Sequence, residues 1–172
     1  MKIGLCGASG RIGWPLYNFL KAKRHKVLGT YCYNSRSNAI GNSLVKYDLR
    51  EDTLDFFDKC DYVILASAYC NTPFCEQNKI EAYWLNVYRT EELLTHLSEK
   101  GIPTLFISSI AAKVNLDTTY GKYKRQVEKY MEENLVGVGY IRPGKTNQDN
   151  VQQLCEEIHV ILKSGLRKKA KV

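Results

Sequence analysis

The short apolar run Lys2–Cys6 breaks into Gly7-Ala8-Ser9-Gly10-Arg11-Ile12-Gly13, and an amphipathic stretch, Arg11–Lys23, begins inside the same loop. A strand that turns straight into a helix through three glycines spaced three apart leaves few architectures open. The glycines permit a tight turn, close backbone approach and close packing of helix on strand. The rest of the chain repeats the alternation. Runs at Lys26–Cys32, Leu44–Tyr47, Tyr62–Ala68, Thr104–Ser108 and Val136–Ile141 are short and apolar on both faces, as in a parallel sheet covered on both sides. Between them, helical spacing puts Ile12, Leu16, Phe19 and Leu20 on one stripe. Ile80, Trp84, Val87, Leu94 and Leu97 form a second over Ile80–Lys100, which Gly101 and Pro103 stop. Tyr123, Val127, Tyr130 and Met131 form a third over Tyr120–Asn134, and Val151, Leu154, Cys155, Ile158 and Leu162 a fourth over Asn147–Lys163. This pattern predicts an α/β fold, a doubly wound parallel sheet of about six strands with right-handed crossovers.

Composition narrows the function classes. The formal charge is +7, but the last ten residues hold Lys163, Arg167, Lys168, Lys169 and Lys171 and no acid, which leaves the remainder near neutral. The chain therefore reads as one domain, residues 1–163, with a basic, solvated tail at 164–172. No aromatic–basic interleaving points to nucleic acid. No run of 18 apolar residues points to a membrane. The six cysteines form no C-x-x-C pair and share no metal-ligand spacing with His25, His96 or His159, so no metal is expected. Reduced thiols and an N-terminus that reaches glycine before any signal-like apolar region predict a cytoplasmic protein.

The glycine loop in its strand-to-helix setting is the pattern of a dinucleotide-phosphate cradle, with Gly7, Ser9, Gly10, Arg11, Ile12 and Gly13 around the pyrophosphate and a helix N-terminus aimed at it. An acid that would read a ribose 2′-hydroxyl is missing from the end of the second strand. Asn34, Ser35 and Arg36 stand there, with Arg11 nearby, and an arginine fork suits a 2′-phosphate. NADP is the expected cofactor, with NAD the alternative. Tyrosine and lysine stand at i, i+4 twice, at Tyr17/Lys21 and Tyr120/Lys124. Only the second pair opens a helix just after a strand, and that strand ends in Ser108-Ser109, so a serine, a tyrosine and a lysine meet where such sheets bind ligands.

These residues, with Tyr47-Asp48-Leu49-Arg50, Ala66-Ser67-Ala68, Asn86-Val87, Phe106-Ile107-Ser108-Ser109 and Ile141-Arg142-Pro143-Gly144, occur in one order over about residues 1–145. In that order the sequence resembles the short-chain dehydrogenase/reductase superfamily. Within it, the resemblance is to the extended NAD(P)-dependent epimerase/dehydratase branch and its dTDP-4-dehydrorhamnose reductase-like members. It implies a Rossmann-like domain in which Asp48 and Leu49 border the adenine, Ala66, Ser67 and Ala68 pass under the cofactor, and Asn86 lies in the helix behind the site. Tyr120 would protonate a carbonyl oxygen, Lys124 would lower the tyrosine's pKa, and Ser109, or Ser108, would orient the carbonyl. The expected function is NADP-dependent reduction of a carbonyl on a small molecule, a sugar or nucleotide sugar. The alternative is a dinucleotide-binding regulatory or partner subunit without turnover. Tyr83, Tyr88 and Leu93, with Tyr123 and Tyr130, give the helices of residues 80–100 and 120–134 more large side chains than one inward stripe uses. The resemblance implies a homodimer through that helix pair.

Overall fold

The structure is a computed structural model and describes residues 1–34 and 43–165; Ser35, Arg36 and most of the basic tail lie outside the described residues. Six parallel strands, β1 (Lys2–Cys6), β2 (Lys26–Tyr31), β3 (Val45–Lys46), β4 (Tyr62–Leu65), β5 (Thr104–Ile107) and β6 (Val138–Ile141), form one sheet in the order β3-β2-β1-β4-β5-β6. Ile3 pairs with Val27 and Tyr62, Ile64 with Leu105, and Leu105 with Gly139. The order reverses between β1 and β4, which opens a crevice at the carboxyl ends of those two strands.

Strand residues alternate between two cores. Ile3, Leu5, Ile64, Leu105 and Ile107 meet Leu16, Tyr17 and Leu20 of α1 (Gly13–Ala22) and Leu154, Ile158 and Leu162 of α7 (Gln148–Ser164). Val63, Leu65 and Phe106 meet Leu93, Leu94 and Leu97 of α4 (Thr90–Glu99) and Val127 and Met131 of α6 (Thr119–Asn134). Both sheet faces are thereby covered, as the doubly apolar strands require.

The strands stop earlier than their apolar runs. Residues 66–68 leave the sheet beyond Leu65, and Val136 precedes a turn in which Gly137 takes φ +69°. Two short helices that carry no long periodic pattern, α2 (Thr72–Gln77) and α5 (Ala111–Val114), lie in the connections after β4 and β5. The main departure is in the long helix. α3 (Lys79–Tyr83) runs through a π-wound segment, Trp84–Arg89, into α4. One extra residue in that turn shifts the phase of the stripe. Ile80 is 89% exposed and Trp84 45%, whereas Leu93, expected outside, is fully buried. The Thr90 hydroxyl donates to the Leu85 carbonyl at 2.8 Å, satisfying an acceptor within the widened turn.

Candidate functional site

Each glycine of the first loop has its own constraint. Gly7 has φ +83°, and a Cβ there would fall 2.8 Å from the Ser67 backbone nitrogen. A Cβ on Gly13 would lie 2.9 Å from the Ala8 Cα and closer still to the Gly7 carbonyl oxygen, so this glycine lets α1 sit on the loop. Gly10 meets only the Gly7 carbonyl oxygen, at 3.2 Å, and its outer side is open. Thr30 braces the loop from β2: its hydroxyl accepts from the Gly7 N–H and its carbonyl from the Ser9 N–H. α1 starts with neither a side-chain cap nor an acid in its first turn, so the partial positive charge of its N-terminus is not offset locally.

The loop forms one wall of a cleft of about 300 Å³. Of the residues anticipated for a cofactor, Gly7, Ser9, Gly10, Asn34, Asp48, Leu49, Ala66, Ser67 and Ala68 line it. Gly13 lies behind the wall, Ile12 is half-buried at the start of α1, and Arg11 points to solvent. Arg50 is the one cation of the lining among the described residues, and its importance went unread in the sequence. Its guanidinium makes a paired contact with Asp48 (Nη2 to Oδ2 2.5 Å), donates to the Tyr69 hydroxyl at 2.7 Å and also to the Tyr33 hydroxyl. The hydrogen bonds from Arg50 hold the Asp48 carboxyl down at about 2. The only advance signal was Arg50's place two residues after Asp48.

A second cluster lies two strands away along the same sheet edge, on the order of 10 Å at the usual strand spacing. Thr118 caps α6 by accepting from the Gly121 N–H, and the Glu76 carboxylate of α2 accepts from both the N–H and the hydroxyl of Thr119. Gly121 lets the helix meet α5, since a Cβ there would fall 2.8 Å from the Ala111 carbonyl oxygen. Tyr120 therefore enters on a fixed first turn, with the Ser109 side chain beside it acting to lower its pKa. Lys124 is 2% exposed; its Nζ donates to the Ile107 carbonyl at 3.0 Å and lies 5.9 Å from the Tyr120 ring centre. Burial pushes Lys124 down to about 8. Burial also pushes Tyr120 up to about 12, against the lowering influence of Ser109. Loss of water around the phenolate is the larger effect, so Tyr120 stands above an ordinary tyrosine in this structure. Ser108 is buried and its hydroxyl donates to Glu128 at 2.5 Å, which leaves Ser109 as the half-exposed serine. Asn86 is buried in the π segment and clamps the Tyr69 peptide: Oδ1 accepts from its N–H at 2.8 Å and Nδ2 donates to its carbonyl at 2.9 Å. Its contact is with the floor of the cleft.

A reversing parallel sheet, a glycine cradle at the end of β1 and a cleft on the carboxyl edge define the Rossmann class of nucleotide-binding domains. The model of the NAD dependent epimerase/dehydratase family matches residues 3–143, and the chain belongs to that family. No curated protein matches the chain by sequence. Among solved structures, a hypothetical dTDP-4-dehydrorhamnose reductase from Sulfolobus tokodaii superposes with TM-score 0.77 at 22% identity, over 99% of this chain and 74% of that one. The dTDP-4-dehydrorhamnose reductase of Bacillus anthracis in complex with NADP gives 0.73 at 14% identity, over 98% and 72%. MoeE5 in complex with UDP-glucose and NAD gives 0.69 at 20% identity, over 83% of this chain and 54% of that one.

Proposed function

We propose that this chain is an NADP-dependent oxidoreductase of the short-chain dehydrogenase/reductase type that reduces a carbonyl on a sugar or nucleotide sugar, with NAD as the alternative cofactor. The observation that carries the reading is the convergence of Tyr120, Ser109 and Lys124 at the carboxyl end of β5, on the same sheet edge as the glycine cradle. The cradle and the cleft suit a dinucleotide: the outer side of Gly10 is open where a phosphate would approach, and the cleft volume is in the range of small-ligand sites. The relatives crystallised with NADP, NAD and UDP-glucose support the same reading.

Bound dinucleotide would supply the hydride. Tyr120 donates the phenolic proton to the carbonyl oxygen, and Ser109 donates a hydrogen bond that fixes that oxygen. Ser108 is engaged with Glu128, which favours Ser109 for this role. Lys124 keeps its ammonium below about pH 8 and places a positive charge one turn from the phenolate that forms. Asn86 holds the peptide of Tyr69 and so the cleft floor. Asn34, with Ser35, Arg36 and Arg11, would surround the 2′-phosphate, while Asp48 and Leu49 border the adenine.

We also propose a homodimer through the surface carrying α3, the π segment and α6. Tyr83, Trp84 and Tyr88 are exposed there, with Trp84 stacked on Tyr88 and Tyr83 edge-on to Tyr123. Light scattering that gives the 19.7 kDa chain mass at all concentrations rejects it. All six cysteines are free, which suits a reducing compartment such as the cytoplasm. No helix among the described residues is long and apolar enough to cross a membrane. The deciding experiment titrates the protein with NADP and NAD, then follows NADPH oxidation with a panel of keto sugars and nucleoside-diphosphate keto sugars. Turnover supports the proposal. Absence of dinucleotide binding overturns it, and binding without turnover selects a regulatory or partner subunit instead.

A further inference from the structure

α6 faces the end of β5 through three successive rungs. Tyr120, Lys124 and Glu128 stand at i, i+4 and i+8, one above the other on a single face. The end of β5 meets each of them. Ser109 lies beside Tyr120 and acts to lower its pKa, the Ile107 carbonyl accepts from Lys124 Nζ at 3.0 Å, and the Ser108 hydroxyl donates to Glu128 Oε1 at 2.5 Å. The third rung has no part in the proton chemistry proposed above.

Glu128 is completely buried, and a carboxylate in that position requires partners. Arg142, the residue after β6, supplies two bonds, Nε to Oε1 at 2.9 Å and Nη2 to Oε2 at 2.7 Å. Arg125 adds a third from Nη1 to Oε2 at 3.1 Å. A buried ion pair is a poor source of stability compared with apolar packing, and its best-attested use is to fix one arrangement among several. Here it ties one helix to the ends of two adjacent strands, immediately before Ser109.

We propose that Glu128 is the positioning residue of this site: braced by Arg142, it fixes Ser108, and through the adjoining peptide it sets Ser109 against Tyr120, while presenting a negative charge to the Lys124 ammonium. The proposal rests on the reading of Tyr120, Ser109 and Lys124 given above. The other groups facing Lys124 are the Cys70 and Cys75 thiols, from the segment after β4, and the rings of Phe106 and Tyr120. Glu128 is the carboxylate that acts on it and favours its charged form.

The test uses NMR of the full, cofactor-free chain, so it does not depend on turnover or on a known substrate. Glu128→Gln keeps the shape and one acceptor oxygen, puts an amide NH2 in place of the other and removes the charge, and the Lys124 Nζ titration should move down by about one pH unit. Ser108→Ala keeps the Glu128–Arg142 pair and removes only the link to β5. It should displace the Tyr120 ring resonances at pH 8, and Ser108→Thr, which restores a hydroxyl, should return them. A merely structural role would lower the melting temperature of these variants while leaving both signals in place. An unmoved Lys124 titration in Glu128→Gln, or an unmoved Tyr120 signal in Ser108→Ala, overturns the proposal. Should Glu128→Gln fail to fold, the Ser108 pair decides alone. Failure of wild type to bind dinucleotide would instead refute the functional reading, so the two failures are distinguishable.

Discussion

Gly10 and Gly13 look interchangeable as letters, yet the structure assigns them different jobs, and alanine at each should separate binding from stability. A Cβ at Gly13 meets the Gly7 carbonyl and lies 2.9 Å from Ala8 Cα, so both obstacles are backbone that no rotamer can clear. Overpacking of this kind costs about 1–3 kcal/mol, and backbone obstacles belong at the upper end. Alanine's helix preference over glycine returns at most about 1 kcal/mol, and less at the first helical residue. The net loss for Gly13→Ala should be about 2 kcal/mol, which in a domain of this length lowers Tm by about 4–8 °C. A Cβ at Gly10 meets one carbonyl oxygen at 3.2 Å, which a shift of a few tenths of an ångström relieves. Gly10→Ala should therefore stay within about 0.5 kcal/mol of wild type. Its methyl group stands where a pyrophosphate would approach, so dinucleotide affinity should fall at least tenfold, about 1.4 kcal/mol. Thermal melts followed by circular dichroism, paired with calorimetric titration of NADP, measure both quantities. The reasoning fails if Gly13→Ala melts with wild type, or if Gly10→Ala binds NADP with unchanged affinity.

Tyr120→Phe should leave dinucleotide affinity within twofold and remove most turnover, because only the phenolic proton is lost; stopped-flow reduction of a keto sugar checks this, and retained activity ends the proposed role. Lys124 is held at about 8 by burial, so its ammonium is present below that pH and lost above it. Turnover should accordingly decline as pH rises through about 8, in a limb absent from Lys124→Arg, which a pH–rate profile reads directly. Arg36→Ala should weaken NADP by about 1–3 kcal/mol with little change for NAD, and a wild type that prefers NAD in competition titrations removes the basis for that role.

The strands and the glycine cradle were legible because their signals are local: a run of apolar residues and three glycines whose requirements are met within one loop. Tyr120 and Lys124 were legible because helical spacing fixes which side chains share a face. What escaped depends on where the topology puts distant segments. Arg50 belongs to the cleft because β2 and β4 bring Tyr33 and Tyr69 to it, and nothing near position 50 encodes either neighbour. Glu128 reads as one more helical acid until β6 delivers Arg142. Ser108 and Ser109 are equal as letters, and only the buried Glu128 marks Ser108 as the one with a packing partner. Ile80 and Trp84 misled because the stripe assumed 3.6 residues per turn through a segment that does not keep it.

That segment also changes what a length difference means in this chain. Leu85, Asn86 and Val87 are consecutive and all buried, which a regular helix lying on a sheet does not offer. Deleting one residue between Trp84 and Arg89 would let the segment return to regular winding with α3 and α4 in their present phase, because the widened turn absorbs one extra residue. Ala82 and the α4 leucines would keep their places. What would go is the run of three buried neighbours, and with it the seat of Asn86 opposite the Tyr69 peptide. A gap of one residue at this place would leave the helix on the sheet and alter only the floor of the cleft.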